Sequence, residues 1–272
     1  SIVMSATPIP RSLALVLFGG LSSSVINSRP FGKSKITTNL VSMEKEKAMW
    51  EFIKKEIDEN DGKCFVVAPR ISEGENENIL SVQDIKEKLV TEYNFSEERL
   101  AVVHGKMDKE ESDKLINEFK NGGKDVLIST TIIEVGIDVK EANLMVIYNS
   151  ERFGLASLHQ LRGRVGRDGR EGYCFCMLGT SSEASIDRIK LFKKHNDGIK
   201  LAEEDLKLRG AGTIYGTKQS GASEIFLKID FSIEEYNKAK EIFNKLSEEK
   251  KNMLFSCAEE KFGDIYKKVV LN

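Results

Sequence analysis

Between residues 43 and 178, short and nearly unbroken apolar runs alternate with longer stretches whose apolar residues recur at helical spacing. Few architectures tolerate that alternation. A strand apolar at every residue must be covered on both faces, which calls for helices above and below a parallel sheet. The predicted strands are Cys64 to Ala68, Leu100 to His104, Val126 to Ser129, Leu144 to Tyr148 and Tyr173 to Leu178. Between them, Lys45 to Ile57 carries Ala48, Met49, Phe52, Ile53 and Ile57 at helical spacing, and Glu110 to Phe119 carries Leu115, Ile116 and Phe119. A further helix is predicted over Val82 to Val90, after an acidic loop without apolar residues at Ser72 to Asn78. After residue 184 the pattern is helical, with a glycine-rich segment from Arg209 to Gly221 and charged helices over Ile233 to Leu246 and Glu248 to Phe262. The predicted fold class is α/β, a parallel sheet flanked by helices with helices at its C-terminal end.

Residues 158 to 168 read Leu-His-Gln-Leu-Arg-Gly-Arg-Val-Gly-Arg-Asp, a segment whose polarity predicts that it lies outside the core. Arg162, Arg164 and Arg167 offer flat, permanently charged forks that match phosphate oxygens two at a time. Gly163 and Gly166 let backbone approach a ligand with no Cβ in the way. Taken locally, the run is equally a phosphate site or a basic surface. The formal net charge of the 272 residues is only −2, so any nucleic-acid binding must come from such local stripes and not from a field over the whole molecule.

A second segment, Ser129 to Val139, follows a predicted strand. There Thr130 and Thr131 can cap a helix or offer hydroxyls and amides to phosphate, Gly136 permits close approach, and Asp138 can accept from a ribose hydroxyl. Ser5, Ala6 and Thr7 end an apolar run in a Ser-Ala-Thr-Pro string that is either a turn or a relay between sites. Arg209-Gly210-Ala211-Gly212 and Gly216 to Gly221 form either a phosphate cradle or a tight reversal between helices. Two lookalikes are discarded. Gly32-Lys33-Ser34 mimics the end of a Walker A loop, but its first glycine would fall at Asn27, Pro30 interrupts it, and Ile36-Thr37-Thr38 reads as strand where a helix is required. Asp58-Glu59-Asn60-Asp61 mimics an acidic Walker B box but ends a helix instead of an apolar strand.

Cys64, Cys174, Cys176 and Cys257 lack Cys-x-x-Cys pairing, and His104, His159 and His195 stand far apart, so no zinc-ligand spacing is visible. Cys64, Cys174 and Cys176 lie in apolar runs and are predicted to be buried thiols in a reducing compartment. No run of residues has the length and apolarity of a membrane span. The chain opens at Ser-Ile-Val-Met without a signal-peptide pattern or an initiator methionine, so it reads as a fragment of something longer.

Taken in order, five segments resemble the C-terminal half of the RecG family of superfamily-two bacterial DNA helicases. They are Ser-Ala-Thr-Pro-Ile-Pro-Arg, His104-Gly105-Lys106-Met107, Thr130 to Val139, Glu151 to Arg167, and Asp205 to Gly212 with Gly216 to Gly221. The resemblance implies a RecA-like fold. Residues 1–35 would be the remnant of a first motor domain with its linker, 36–196 the second motor domain, and 197–272 a translocation hairpin, loop and C-terminal helices. It makes Arg164 and Arg167 fingers on ATP assisted by Gln160, and gives Gly136, Asp138, Gly163 and Gly166 to the nucleotide. Thr130, Thr131, His104, Gly105, Arg209, Gly210, Gln219, Ser220 and Gly221 go to DNA binding and coupling, and Ser5, Ala6 and Thr7 to interdomain coupling. Two departures stand out. The family carries a proline and an acidic residue where this chain has Ala211 and Thr213, and Asp168 to Gly172 is longer and more charged than the family pattern.

The implied activity is ATP-driven translocation on duplex DNA that remodels forks and Holliday junctions, in a bacterial cytoplasm. ATP would be used with Mg²⁺ whose ligands lie outside the chain, and the partners would be branched DNA, a wedge domain and a first motor domain. No membrane partner is expected. The alternatives are a transcription-repair coupling factor and a non-enzymatic DNA- or partner-binding RecA-like module.

Overall fold

The computed structural model describes residues 35–69, 79–130, 139, 141–179, 182–198, 200–201, 204 and 233–270. Six parallel strands among these form one sheet in the order β1-β6-β5-β2-β4-β3. They are β1 (Ile36–Val41), β2 (Lys63–Val67), β3 (Leu100–Val103), β4 (Val126–Ser129), β5 (Ala142–Ile147) and β6 (Gly172–Met177). The five strands predicted from apolar runs are therefore present. β1 completes the sheet at the edge beside β6, where Ile36 pairs with Gly172 and Val41 with Met177.

Helices α1 (Glu46–Asn60), α2 (Val82–Thr91), α3 (Lys109–Lys120), α4 (Leu155–Arg162) and α5 (Glu183–Lys194) connect or follow the strands. Local chemistry sets several of their ends. Ser81 and Asp84 form a reciprocal capping box at the start of α2, and the Asp108 side chain accepts from the Glu110 amide at the start of α3. Asp61, left-handed at φ 50°, ends α1, so the lookalike acidic box does sit at a helix terminus.

Side-chain alternation divides the core. On one sheet face Cys64 and Val66 pack with Met49, Trp50, Ile53 and Ile57 of α1 and with Val82, Ile85 and Leu89 of α2. On the other, Phe65 and Val67 pack with Phe119 of α3, Leu155, Leu158 and Leu161 of α4, and Ile189 and Phe192 of α5. One detail of the predicted α1 face changes: Ala48 is exposed and Trp50 is fully buried, because the core stripe runs through positions 46, 49, 50, 53 and 57. Cys64, Cys174 and Cys176 are buried free thiols, as predicted; desolvation pushes the Cys64 thiol well up, and Cys176 is raised by a hydrogen bond with Cys174 and by burial.

Among the described residues the chain falls into two compact units, one taking those up to Leu201 and the other those after Ala202. In the second, α6 (Ile233–Asn244) and α7 (Glu248–Val270) are described, and Phe243 meets Phe255 edge-on at 5.7 Å. No described helix is long and apolar enough to cross a membrane.

Candidate nucleotide and nucleic-acid edges

Because every strand runs the same way, the sheet has one carboxyl edge and one amino edge, and the candidate residues divide between them. At the carboxyl edge the register pairs Val103 of β3 with Ser129 of β4. His104 and Thr130 are the next residues on each strand, so they stand side by side. Both are half-buried, and Gly105 beside them is exposed. The His104 carbonyl accepts from the Met107 amide at 3.0 Å in the turn that follows. The Thr130 carbonyl accepts from the Ser129 hydroxyl at 2.8 Å.

The arginine-glycine run lies at the other edge. α4 starts beyond the carboxyl end of β5 and runs back across the sheet, so the loop after it opens where β6 begins. The Gly166 amide donates to the Ala142 carbonyl at 3.0 Å and the Gly172 amide to the Lys35 carbonyl at 2.9 Å, which stitches this loop to the first residue of β5 and to the residue before β1. Gly166 is buried with φ +70°, a left-handed backbone that disfavours any Cβ. Gly163 differs: it is exposed, with φ −67°, so its backbone does not demand glycine. Strands of four to six residues put the two edges about 13–20 Å apart at about 3.3 Å per residue, too far for one phosphate group to touch both. Carboxyl-edge placement, which suits Thr130 and His104, therefore does not extend to the arginines.

The structure also corrects the expectation that this run is too polar to belong to the core. Leu158, Leu161, Arg162 and Val165 are all buried. Arg162, 3% exposed, donates to the Phe192 carbonyl at 2.9 Å, the His195 carbonyl at 2.8 Å and the Thr38 hydroxyl at 3.5 Å, and its guanidinium stacks 4.2 Å from the Phe192 ring centre. It is a structural tie between α4, α5 and β1, not a phosphate ligand. Arg164 and Arg167 are half-buried in the loop itself, and the Arg167 Nε donates to the Gly163 carbonyl at 3.1 Å. Gln160, also half-buried, lies in the last turn of α4. Ser5, Ala6, Thr7, Thr131, Gly136, Asp138, Arg209, Gly210, Gln219, Ser220 and Gly221 lie outside the described residues.

Two groups escaped the residue-level reading. Arg170 reaches from the loop after α4 to two backbone carbonyls, Asn60 at 2.9 Å and Glu141 at 2.8 Å. The charged stretch after Arg167 was the signal for it. At the carboxyl end of β5 the Tyr148 hydroxyl donates to the buried Glu46 carboxylate at 2.7 Å, the Lys88 ammonium donates to the other Glu46 oxygen at 2.7 Å, and the Trp50 indole donates to Tyr148 at 3.2 Å. This network joins α1, α2 and β5. No sequence pattern announces it, because its members are up to 102 positions apart.

Residues 44–169 match the helicase conserved C-terminal domain family, and residues 195–251 match the family described as ATP-dependent DNA helicase RecG, domain 3, C-terminal. The ATP-dependent DNA helicase RecG of Thermotoga maritima is 48% identical over 223 residues, covering 82% of this chain and 28% of that protein. The Bacillus subtilis protein of the same name is 37% identical over 221 residues, covering 81% of this chain and 32% of its own length. A solved structure of RecG bound to a three-way DNA junction superposes with a TM-score of 0.66 at 40% identity, over 88% of this chain and 30% of that one. The chain thus spans about a third or less of these relatives, and its sheet is of the RecA-like helicase type.

Proposed function

We propose that this chain, related in sequence and fold to the C-terminal part of RecG helicases, is the second motor half of an ATP-dependent translocase that remodels branched duplex DNA. Residues 36–196 are its RecA-like domain, 197–272 carry the coupling hairpin, loop and C-terminal helices, and 1–35 are the tail of the first motor domain. The single observation that carries the reading is the separation of the candidate residues onto two edges of one sheet. Arg164 and Arg167 at the amino edge meet ATP, with Gln160, Gly136, Asp138, Gly163 and Gly166 around the nucleotide. His104, Gly105 and Thr130 at the carboxyl edge meet DNA, and Thr131 joins them in that role. Arg209, Gly210, Gln219, Ser220 and Gly221 couple the motor to the duplex, and Ser5, Ala6 and Thr7 relay between motor domains.

Hydrolysis moves the γ-phosphoryl group from ADP to water through a transition state rich in negative charge. Arg164 and Arg167 act as fixed cations toward that charge. The triphosphate cradle and the Mg²⁺ ligands come from the first motor domain on this reading. The match of residues 195–251 to RecG domain 3 favours this reading over a transcription-repair coupling factor. In the full-length protein, Arg167→Ala should lower DNA-stimulated ATP turnover about a thousandfold while DNA affinity stays the same. Steady-state turnover and a DNA titration check this, and unchanged turnover removes Arg167 from the reaction.

A further inference from the structure

The loop that carries Arg164 and Arg167 is held at its far end by one side chain. Arg170 donates through Nη1 to the Asn60 carbonyl at 2.9 Å and through Nη2 to the Glu141 carbonyl at 2.8 Å, while its Nε pairs with an Asp168 oxygen. The other Asp168 oxygen accepts from the Arg170 backbone amide at 3.0 Å, closing a tight reversal in which Gly169 takes φ +93°. All three Arg170 nitrogens are thus committed inside the protein, and none is turned toward a ligand.

The two carbonyls come from different elements. Asn60 is the last residue of α1, so its carbonyl lacks a partner within the helix and sits at the negative end of the helix dipole, where a cation is favoured. Glu141 is the residue before β5, at the close of the connection that bears Asp138 three positions earlier. Gly166 already binds the neighbouring Ala142 carbonyl, so the loop is fixed at two points to the start of β5 and, through Arg170, to the end of α1. An Arg side chain with 36% of its surface exposed adds little global stability, because solvent screens the pair. Its geometry fits a different task. A fork bridging two fixed carbonyls sets where the preceding residues stand.

We infer that Arg170 is a positioning residue for the arginine fingers, clamping the loop from Gly163 to Gly172 against α1 and the start of β5 so that Arg164 and Arg167 face the nucleotide in one register. The inference rests on the finger reading of those two residues. Displacing a charge-stabilising group by about 1 Å can cost up to about a hundredfold in rate, so partial loosening should show in kcat more than in KM.

The test uses the full-length protein with Arg170→Ala, Arg170→Lys and, in parallel, Arg167→Ala. Arg170→Ala should lower kcat for DNA-stimulated ATP hydrolysis about tenfold with KM for ATP within about twofold. Arg170→Lys should fall between, since one ammonium cannot reproduce the fork. Hydrogen exchange should quicken at amides 163–168 in Arg170→Ala and stay unchanged in β5 and β6. A kcat within about twofold of the unsubstituted enzyme overturns the inference, as does faster exchange spread through β5 and β6, which would make Arg170 a general brace. Should Arg170→Ala not yield folded protein, Asp168→Asn carries the same test by loosening the guanidinium while leaving both carbonyl contacts: a fall in kcat at constant KM supports the role, and an unchanged kcat overturns it. Turnover lost in Arg167→Ala but kept in Arg170→Ala refutes the positioning role alone; turnover kept in Arg167→Ala refutes the finger reading beneath it.

Discussion

Arg162 and Arg167 stand five positions apart on the same run, and their surroundings give them opposite work. Arg167 sits in a half-buried loop, whereas Arg162 is enclosed by Phe192, Thr38 and the carbonyls of Phe192 and His195. Truncating a buried, fully engaged cation leaves its acceptors unsatisfied and opens a void. Arg162→Ala should therefore destabilise the first unit by about 3 kcal/mol, visible as a lower urea midpoint. Arg162→Lys should recover only part of this, because a single ammonium can neither span both carbonyls nor stack flat on Phe192. A midpoint unchanged by Arg162→Ala would mean that the enclosure contributes nothing and would reopen Arg162 as a ligand. The motif resemblance set Arg162 apart from the finger positions, but local residue identity could not show its burial, because the residues that enclose it come from β1 and α5.

At the level of elements, the Glu46, Tyr148, Lys88 and Trp50 network fastens α1 and α2 to the end of β5, and Tyr93, after α2, shares its electrostatics. Burial, then the nearby Glu46 and Glu92 charges, push the Tyr93 phenol up to about 12 from its ordinary 10.0. A folded-state value above the unfolded one means stability that is complete below pH 10.0 and is lost as pH climbs from there through about 12, since the unfolded chain releases this proton first. Tyr148 is raised in the same direction by burial and Glu46. Urea midpoints taken across that window should fall with pH, and less steeply for Tyr93→Phe; an equal slope would detach Tyr93 from the effect. Elements differ in how readable they were. β2 to β6 are continuous apolar runs because helices cover both faces, and they stand out for that reason. β1, an edge strand with residues such as Thr37 and Asn39 only half-buried, shows as three residues of strand character and no more. That the arginine loop opens at the amino edge depends on the path of α4 across the sheet, which no local pattern encodes.

For the whole molecule, both core clusters are built, among the described residues, from side chains between Ile36 and Leu201. Residues 35–201 should then fold without the second unit and unfold in one cooperative step, with a urea midpoint close to that of the whole chain; a broad, non-cooperative transition would show that the core needs residues beyond 201. Chemistry does not follow folding so simply. Phosphoryl transfer needs a cradle for the triphosphate, a bound metal, an oriented water and cations for the developing charge, and these parts fail together when one is missing. The 272 residues contain the cations, but the nearest thing to a phosphate cradle, Gly32-Lys33-Ser34, has Asn27 where the loop's first glycine belongs, and the acidic box at Asp58 to Asp61 ends a helix. Asp58 there is paired with Arg99 at 2.7 Å. On the proposed reading, arginines without a cradle can add charge to a site but cannot hold the group that develops it. The purified chain should therefore hydrolyse ATP at the rate of buffer alone, with or without branched duplex DNA, in a phosphate-release assay. DNA-stimulated turnover that disappears with Arg167→Ala would show instead that a complete nucleotide site is assembled within these residues.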